Sequence, residues 1–202
     1  MEGSIDAIIG GMFSGKSSEL ARRVERVKIA KRCVIAFKPA IDNRYSKDNI
    51  VTHSGYEVPA YAINELRDIR AVLKLHGGCD TIAIDEAQFF EQGLPQLLES
   101  LAYEGHHIVV AGLDTDFRGE PFPVMAQIVM RADNVIKLRA ICKVCGEDAS
   151  RTQRLLGGIP AVDGSVVQVG GEESYEARCR RCFVSTGTDL KNLSTKHLTE
   201  AN

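Results

Sequence analysis

Residues 10–17, GGMFSGKS, set two glycines, a lysine and a serine at the spacing Gly10-x-x-x-x-Gly15-Lys16-Ser17. This is the full pattern of a phosphate-binding loop. Glycines let the backbone curl until successive N–H groups face inward, and a following helix adds its positive N-terminal end. A lysine at that position reaches the β- and γ-phosphates of a nucleoside triphosphate, and the serine beside it ligates Mg²⁺. A second group is Thr81-Ile-Ala-Ile-Asp85-Glu86, an apolar run that delivers two carboxylates together. Asp85 suits the Mg²⁺ shell, which leaves the carboxylate of Glu86 beside the phosphate being moved. On the motif alone, Glu86 reads equally as a general base for an attacking hydroxyl or as a solvated turn acid that at most positions water.

The third group is cysteine. Of six, Cys33 and Cys79 stand apart beside apolar runs and read as reduced, partly buried side chains. The others form Cys142-x-x-Cys145 and Cys179-x-x-Cys182, separated by 33 residues. In a chain expected to be cytosolic, paired CxxC favours metal over disulfide. Four thiolates make the closed shell of a structural Zn²⁺, with no open position for catalysis. Such an ion pins the base of the loop 146–178, whose glycines at 157, 158, 164, 170 and 171 leave backbone groups accessible.

These groups need elements that bring them together. Strands are predicted at 4–9, 33–37 (stopped by Pro39), 81–84, 107–111 and 134–138, and helices at 17–32, 64–76, 94–104 and 123–131. The first helix places Leu20, Val24 and Val27 on one face. The stretch 39–55 is polar and reads as irregular. Strands alternating with helices imply an α/β fold, a mainly parallel sheet covered on both faces. Ligands bind such sheets at the C-terminal ends of the strands, where both the glycine loop and Asp85 fall. From Ala140 the chain becomes cysteine- and glycine-punctuated, with short β-like runs such as 166–169. The expected division is a phosphate-loop domain over 1–139, a small zinc-binding domain over 140–186 and a polar tail over 187–202.

Bulk properties narrow the partners. With 25 basic and 27 acidic side chains the net charge is −2, and 44% of residues are hydrophobic. This is a soluble globular composition with no strong electrostatic grip on nucleic acid or an anionic membrane. No apolar run reaches membrane-span length. The N-terminus lacks the basic lead and cleavage site of a signal peptide, so a cytoplasmic location is expected.

Taken in order, GGMFSGKS, KPAIDNRY, DEAQFF, GLDTDFRGEPF, the first CxxC and VVQVGGEESYEARCRRC resemble the thymidine kinase family. The resemblance is to the class that joins a P-loop domain to a zinc-held lasso domain, and it runs over residues 4–184. It implies that Glu86 is the catalytic base taking the proton from the thymidine 5′-hydroxyl, with Lys16 and Arg44 stabilising the transferring phosphoryl group. It further implies that Gly10, Gly11, Met12, Phe13, Ser14, Gly15, Lys16 and Ser17 hold ATP, together with Asp42, Asn43 and Arg44 and with Asp85, Glu86, Ala87 and Gln88. Ser17 and Asp85 would hold Mg²⁺, and Cys142, Cys145, Cys179 and Cys182 the structural Zn²⁺. Met12, Phe89, Leu113, Phe117, Phe122, Thr152 and Tyr175 match positions around the nucleoside. Val166, Val167, Gln168, Val169 and Gly170 match a lasso strand that hydrogen-bonds the base through its main chain. Gly11 stands where many members carry proline, and Cys182 where some carry histidine. The family also implies deoxyuridine as a second acceptor, a role in DNA-precursor salvage, a homotetramer and feedback inhibition by thymidine triphosphate.

Two other classes fit parts of the pattern. A zinc-ribbon nucleic-acid-dependent ATPase would also carry an acid pair after a strand, but this chain lacks a second motor-type domain and a basic stripe. A GTP-dependent switch would need an Asn/Thr-Lys-x-Asp guanine-reading motif, which is absent from the sequence.

Overall fold

The computed structural model describes residues 3–41, 49–51, 55–161, 164–165 and 174–185. Its largest part is a six-stranded parallel sheet. In chain order the first elements are β1 (Ser4–Gly10), α1 (Lys16–Ile29), β2 (Val34–Pro39), β3 (Asn49–Val51), β4 (Glu57–Pro59), β5 (Tyr61–Ile63), α2 (Leu66–Leu75) and β6 (Thr81–Ile84). A 3₁₀ turn, Ala87–Phe89, precedes α3 (Leu94–Tyr103), β7 (His107–Leu113), α4 (Pro123–Arg131) and β8 (Asn134–Lys137). The sheet order is β5-β2-β6-β7-β1-β8, with every pair parallel. The expected α/β class and parallel sheet are therefore present.

In β2, β6 and β7 larger and smaller side chains alternate. Ile35, Phe37, Ile82, Ile84, Ile108 and Val110 face α2, α3 and α4 in one core. Their neighbours Ala36, Ala83, Val109 and Ala111 face the other way, against Leu20, Ala21 and Val24 of α1. Successive strand residues point to opposite faces, so this period-two size pattern produces two unlike layers. The small side lets α1 lie close over the sheet. The large side buries many isoleucines and leucines, each contributing roughly 1.5–3 kcal/mol on burial.

Helix ends follow local rules. Glu65 and Asp68 form a reciprocal capping box at the start of α2. Proline occupies the first turn of α3 and of α4, where its missing N–H leaves no bond unmade. The β3–β4 hairpin and β5 are additions to the sequence reading. The segment expected to be irregular includes β3, which pairs antiparallel with β4 and buries Ile50 and Val58 beside α1. Strands of three residues are too short to show a period.

Beyond the sheet come β9 (Ala140–Ile141), β10 (Asp148–Ala149), β11 (Arg151–Leu156), β12 (Ile159–Pro160) and β13 (Tyr175–Arg178). β9 pairs with β10, and β11 pairs with both β12 and β13, all antiparallel.

Ala83 is fully buried under α1. Ala83→Leu should overpack that interface and cost about 1–3 kcal/mol, read as a lower urea midpoint with an unchanged denaturant slope. An unaltered midpoint would show that α1 is free to shift outward.

Candidate active site and metal centre

The phosphate loop leaves the end of β1 and enters α1. Gly10 is required by space, since an added Cβ would meet the Leu138 carbonyl oxygen at 2.5 Å. Gly15 is required by conformation, with φ of 83° at the helix N-cap. The Gly11 carbonyl accepts hydrogen bonds from the Ser14 hydroxyl and from Lys16 Nζ, each at 2.8 Å. Lys16 is buried, so its ammonium is held against the loop. Two contacts fix the loop from outside. Met12 donates its N–H to Thr152 Oγ1 at 2.9 Å. Phe13, at φ of 65°, packs against the small core of Ala140, Cys142, Ala149 and Ala177.

Asp85 and Glu86 follow β6. Two strand spacings, roughly 10 Å, separate β6 from β1, and β7 lies between them. Asp85 is buried and its carboxylate is hydrogen-bonded by the Ser17 side chain. Burial pushes the Asp85 carboxyl up to about 7, and the neighbouring Glu86 pushes the same way; the Ser17 hydroxyl, the Glu86 N–H and the Lys16 ammonium oppose the rise. A buried acid whose charge is disfavoured, bonded to a serine hydroxyl, is a donor pair that a divalent cation would stabilise.

Glu86 adopts the left-handed conformation, φ 50° and ψ 39°, which costs a non-glycine residue roughly 1–2 kcal/mol. Its N–H donates to Asp85 Oδ1 at 2.9 Å, and its carbonyl accepts from the Phe89 N–H at 3.1 Å. Gln88 holds its carboxylate: Nε2 donates to Glu86 Oε2, while the amide oxygen accepts from the Leu113 N–H at 2.9 Å. The Gln88 side chain thus spans from the end of β7 to the acid. Ala87 points into the core, leaving its backbone as the part that can meet a ligand.

The remaining candidates fall into linked groups. Phe89 and Phe122 meet edge to face at 6.4 Å between centroids, and Leu113 packs into the same core as Phe122. The turn carrying Phe117 is closed by the Thr115–Pro121 bridge. Phe117 meets Tyr175 through Arg154, whose guanidinium contacts both rings. Thr152 and Arg154 share one side of β11, opposite Ala177 and Tyr175 of β13. Asp42, Asn43, Arg44 and Val166, Val167, Gln168, Val169, Gly170 lie outside the described residues.

The four paired cysteines do converge. Their ligand atoms all lie within 4.8 Å of one another, and Cys145 and Cys179 place their sulfurs 3.6 Å apart. Zn–S bonds of ~2.3 Å set tetrahedral sulfurs ~3.8 Å apart, so the donor set fits zinc. Each pair sits on a turn: the Gly146 N–H donates to the Cys142 carbonyl at 2.9 Å, and the Phe183 N–H to the Cys179 carbonyl at 3.0 Å. Burial opposes ionisation of Cys142, yet the backbone N–H groups of Cys179, Cys145 and Val144 bring its thiol down to about 6. Burial pushes Cys182 up to about 12, and hydrogen bonds with the other three thiols add to it. Burial opposes ionisation at Cys142, Cys179 and Cys182 alike, and a dication at the cluster would relieve it.

With this geometry in hand, the chain matches a thymidine kinase family model over residues 3–183. The chain belongs to the thymidine kinase family. Two solved structures show partial likeness. One is a DNA replication initiation factor, with 15% identity and a TM-score of 0.42, covering 67% of this chain and 40% of that one. The other is domain III of the Thermotoga maritima replication initiation protein DnaA, with 17% identity and a TM-score of 0.40, covering 67% of this chain and 55% of that one. Among the described residues no helix is long and apolar enough to cross a membrane.

Three features of this family member escaped sequence reasoning. The Met12–Thr152 bond, the Phe13 contact and the Gln88 bridge join residues remote in sequence or buried, and no local pattern marks them. Motif spacing did find the cysteine cluster, and it yields a test. Metal analysis should return about one zinc per chain. Cys142→Ser should release it and speed amide exchange over residues 140–185 relative to the six-stranded sheet. A metal-free protein with full protection in that segment would exclude the metal reading.

Proposed function

We propose that this chain transfers the γ-phosphate of MgATP to the 5′-hydroxyl of thymidine, giving ADP and thymidine monophosphate, with deoxyuridine as a second acceptor. The observation that carries the reading is the meeting, at one sheet edge, of a phosphate loop and an Asp–Glu pair, faced by Thr152 of β11. Family membership over residues 3–183 supports the choice of acceptor.

Each residue then has a role. The loop from Gly10 to Ser17 binds the triphosphate through its N–H groups, and Lys16 offsets its charge. Ser17 and Asp85 would hold Mg²⁺, whose chemistry there would be neutralisation of charge on the phosphate oxygens. Glu86, held in place by Gln88, accepts the proton of the attacking hydroxyl. Arg44 and its neighbours Asp42 and Asn43 complete the donor site. Met12, Phe89, Leu113, Phe117, Phe122, Thr152 and Tyr175 enclose the nucleoside, and residues 166–170 read the base through their main chain. Cys142, Cys145, Cys179 and Cys182 would hold the structural Zn²⁺, which would cross-link the two turns that carry them.

The same reading takes residues 1–139 as the phosphate-loop domain, 140–186 as the zinc-held lasso and 187–202 as the tail. The sheet's last strand ends at Lys137 and the first small strand begins at Ala140, which supports that division. The enzyme is cytoplasmic, assembles as a homotetramer, is inhibited by thymidine triphosphate and engages neither nucleic acid nor membrane.

Incubation with MgATP and each nucleoside in turn should yield monophosphate from thymidine. ATP hydrolysis on addition of DNA or RNA, with no thymidine monophosphate, would favour the nucleic-acid-dependent ATPase instead. Glu86→Gln should retain ATP and thymidine binding and lose about 10²-fold or more in turnover; near-normal turnover would remove Glu86 as the base.

A further inference from the structure

Arg154 is the largest fully buried side chain among the described residues, with 2% exposure in the middle of β11. Its Nε and Nη2 both donate to the Tyr175 hydroxyl, at 3.1 and 2.8 Å. Nη1 donates to the Ser165 carbonyl at 2.6 Å. The guanidinium carbon lies 3.9 Å from the centroid of the Phe117 ring and 5.3 Å from that of Tyr175. Arg118 also approaches the Phe117 ring, at 5.1 Å, and donates to the Gly164 carbonyl.

A guanidinium does not shed its proton inside a protein, so burying one is costly and a well-packed apolar side chain would fill the volume more cheaply. What the apolar side chain lacks is a planar fork that bonds two partners while stacking on a ring. Arg154 uses all of these at once. It joins the turn carrying Phe117, the strand carrying Tyr175 and the backbone at Ser165, which leads into residues 166–170. Together with β11 itself, these make four separated stretches of sequence.

We propose that Arg154 is a positioning residue for the nucleoside acceptor. It locks Phe117 and Tyr175 to each other and to the Ser165 carbonyl, so that the pocket walls are set before the acceptor enters. The inference rests on the reading that these residues enclose the nucleoside. Preorganised walls spare the acceptor the ordering cost on binding, and the contacts of Arg154 described above all lie away from the phosphate loop. Its loss should therefore weaken acceptor binding while leaving the donor site alone.

Steady-state kinetics with thymidine and MgATP, on wild type, Arg154→Met, Arg154→Lys and Tyr175→Phe, tests this. Arg154→Met should raise the thymidine KM roughly 10- to 100-fold, with kcat within about threefold and the MgATP KM unchanged. Arg154→Lys, which keeps charge without the fork, should give no more than partial rescue. Tyr175→Phe, which keeps the ring and removes the acceptor oxygen, should shift KM the same way. Combined with Arg154→Met it should add less than its separate effect. Amide exchange over residues 164–178, measured without nucleoside, should speed up in Arg154→Met, a readout independent of any acceptor. An unchanged thymidine KM in a folded Arg154→Met overturns the proposal, as does an equal loss for MgATP. If Arg154→Met fails to fold, Tyr175→Phe and Arg154→Lys decide by the same criteria. Faster exchange in a protein whose wild type ignores thymidine would locate the failure in the acceptor reading, with the Arg154 lock itself intact.

Discussion

Met12 donates its N–H to the Thr152 hydroxyl across 140 residues of sequence, and the arrangement of both halves of the molecule turns on that contact. Met12 belongs to the loop after β1; Thr152 belongs to β11, in the small antiparallel sheet. One residue further, Phe13 takes a left-handed conformation and packs among Ala140, Cys142, Ala149 and Ala177. A non-glycine residue holds that conformation only where its surroundings over-determine it. Here the surroundings are the cysteine module. The phosphate loop is therefore shaped by β1 and α1 from below and by the module from above, and β11 is fixed relative to the loop that faces it.

Electrostatics explains why the two sides of the site are built differently. On the donor side, Asp85 is buried beside Glu86, an arrangement that disfavours charge on Asp85. Ser17 and Lys16 offset part of this, and a cation between Ser17 and Asp85 would offset the rest. Glu86 pays for its conformation with bonds from its own turn and from Gln88. Between Phe117 and Tyr175 lies another buried charge, the Arg154 guanidinium, which cannot lose its proton and is bonded to a phenol oxygen and a carbonyl while stacked on ring faces. The neighbourhood of Asp85 and Glu86 is thus left short of positive charge and suits a divalent cation.

Much of this was legible in the sequence where the signal is local. Gly10, Gly15, Lys16 and Ser17 announce a strand–loop–helix by spacing alone. Short apolar runs separated by helix-length segments announce a parallel sheet covered on both faces. The cysteine pairs converge as their spacing implied. What stayed hidden depends on distance along the chain. Sheet order, with β7 between β1 and β6, is set by crossovers that no single strand encodes. The strands Asn49–Val51 and Tyr61–Ile63 are too short for a period. The resemblance placed Gln88 among the ATP-holding residues, but its bridge from the Leu113 N–H to Glu86 has no mark in the sequence. Arg154, a charged residue in a polar run, gave no sign of burial.

The cysteine module has a small core, which its contacts with the loop and its four clustered thiols supplement. Ala140, Cys142, Ala149 and Ala177 bury little apolar surface, and at about 25 cal/mol per Å² such a core cannot offset the ordering of the short strands around it. Small domains meet this shortfall with a cross-link or a metal, or by docking on a larger neighbour. Four sulfurs within 4.8 Å supply the first, and the Phe13 and Met12 contacts supply the second. The pairing of β11 with β13 then carries that order outward from Arg178 and Arg151 to Tyr175 and Arg154. A metal held by the four cysteines would thereby act, through that pairing, on the geometry around Tyr175 and Arg154.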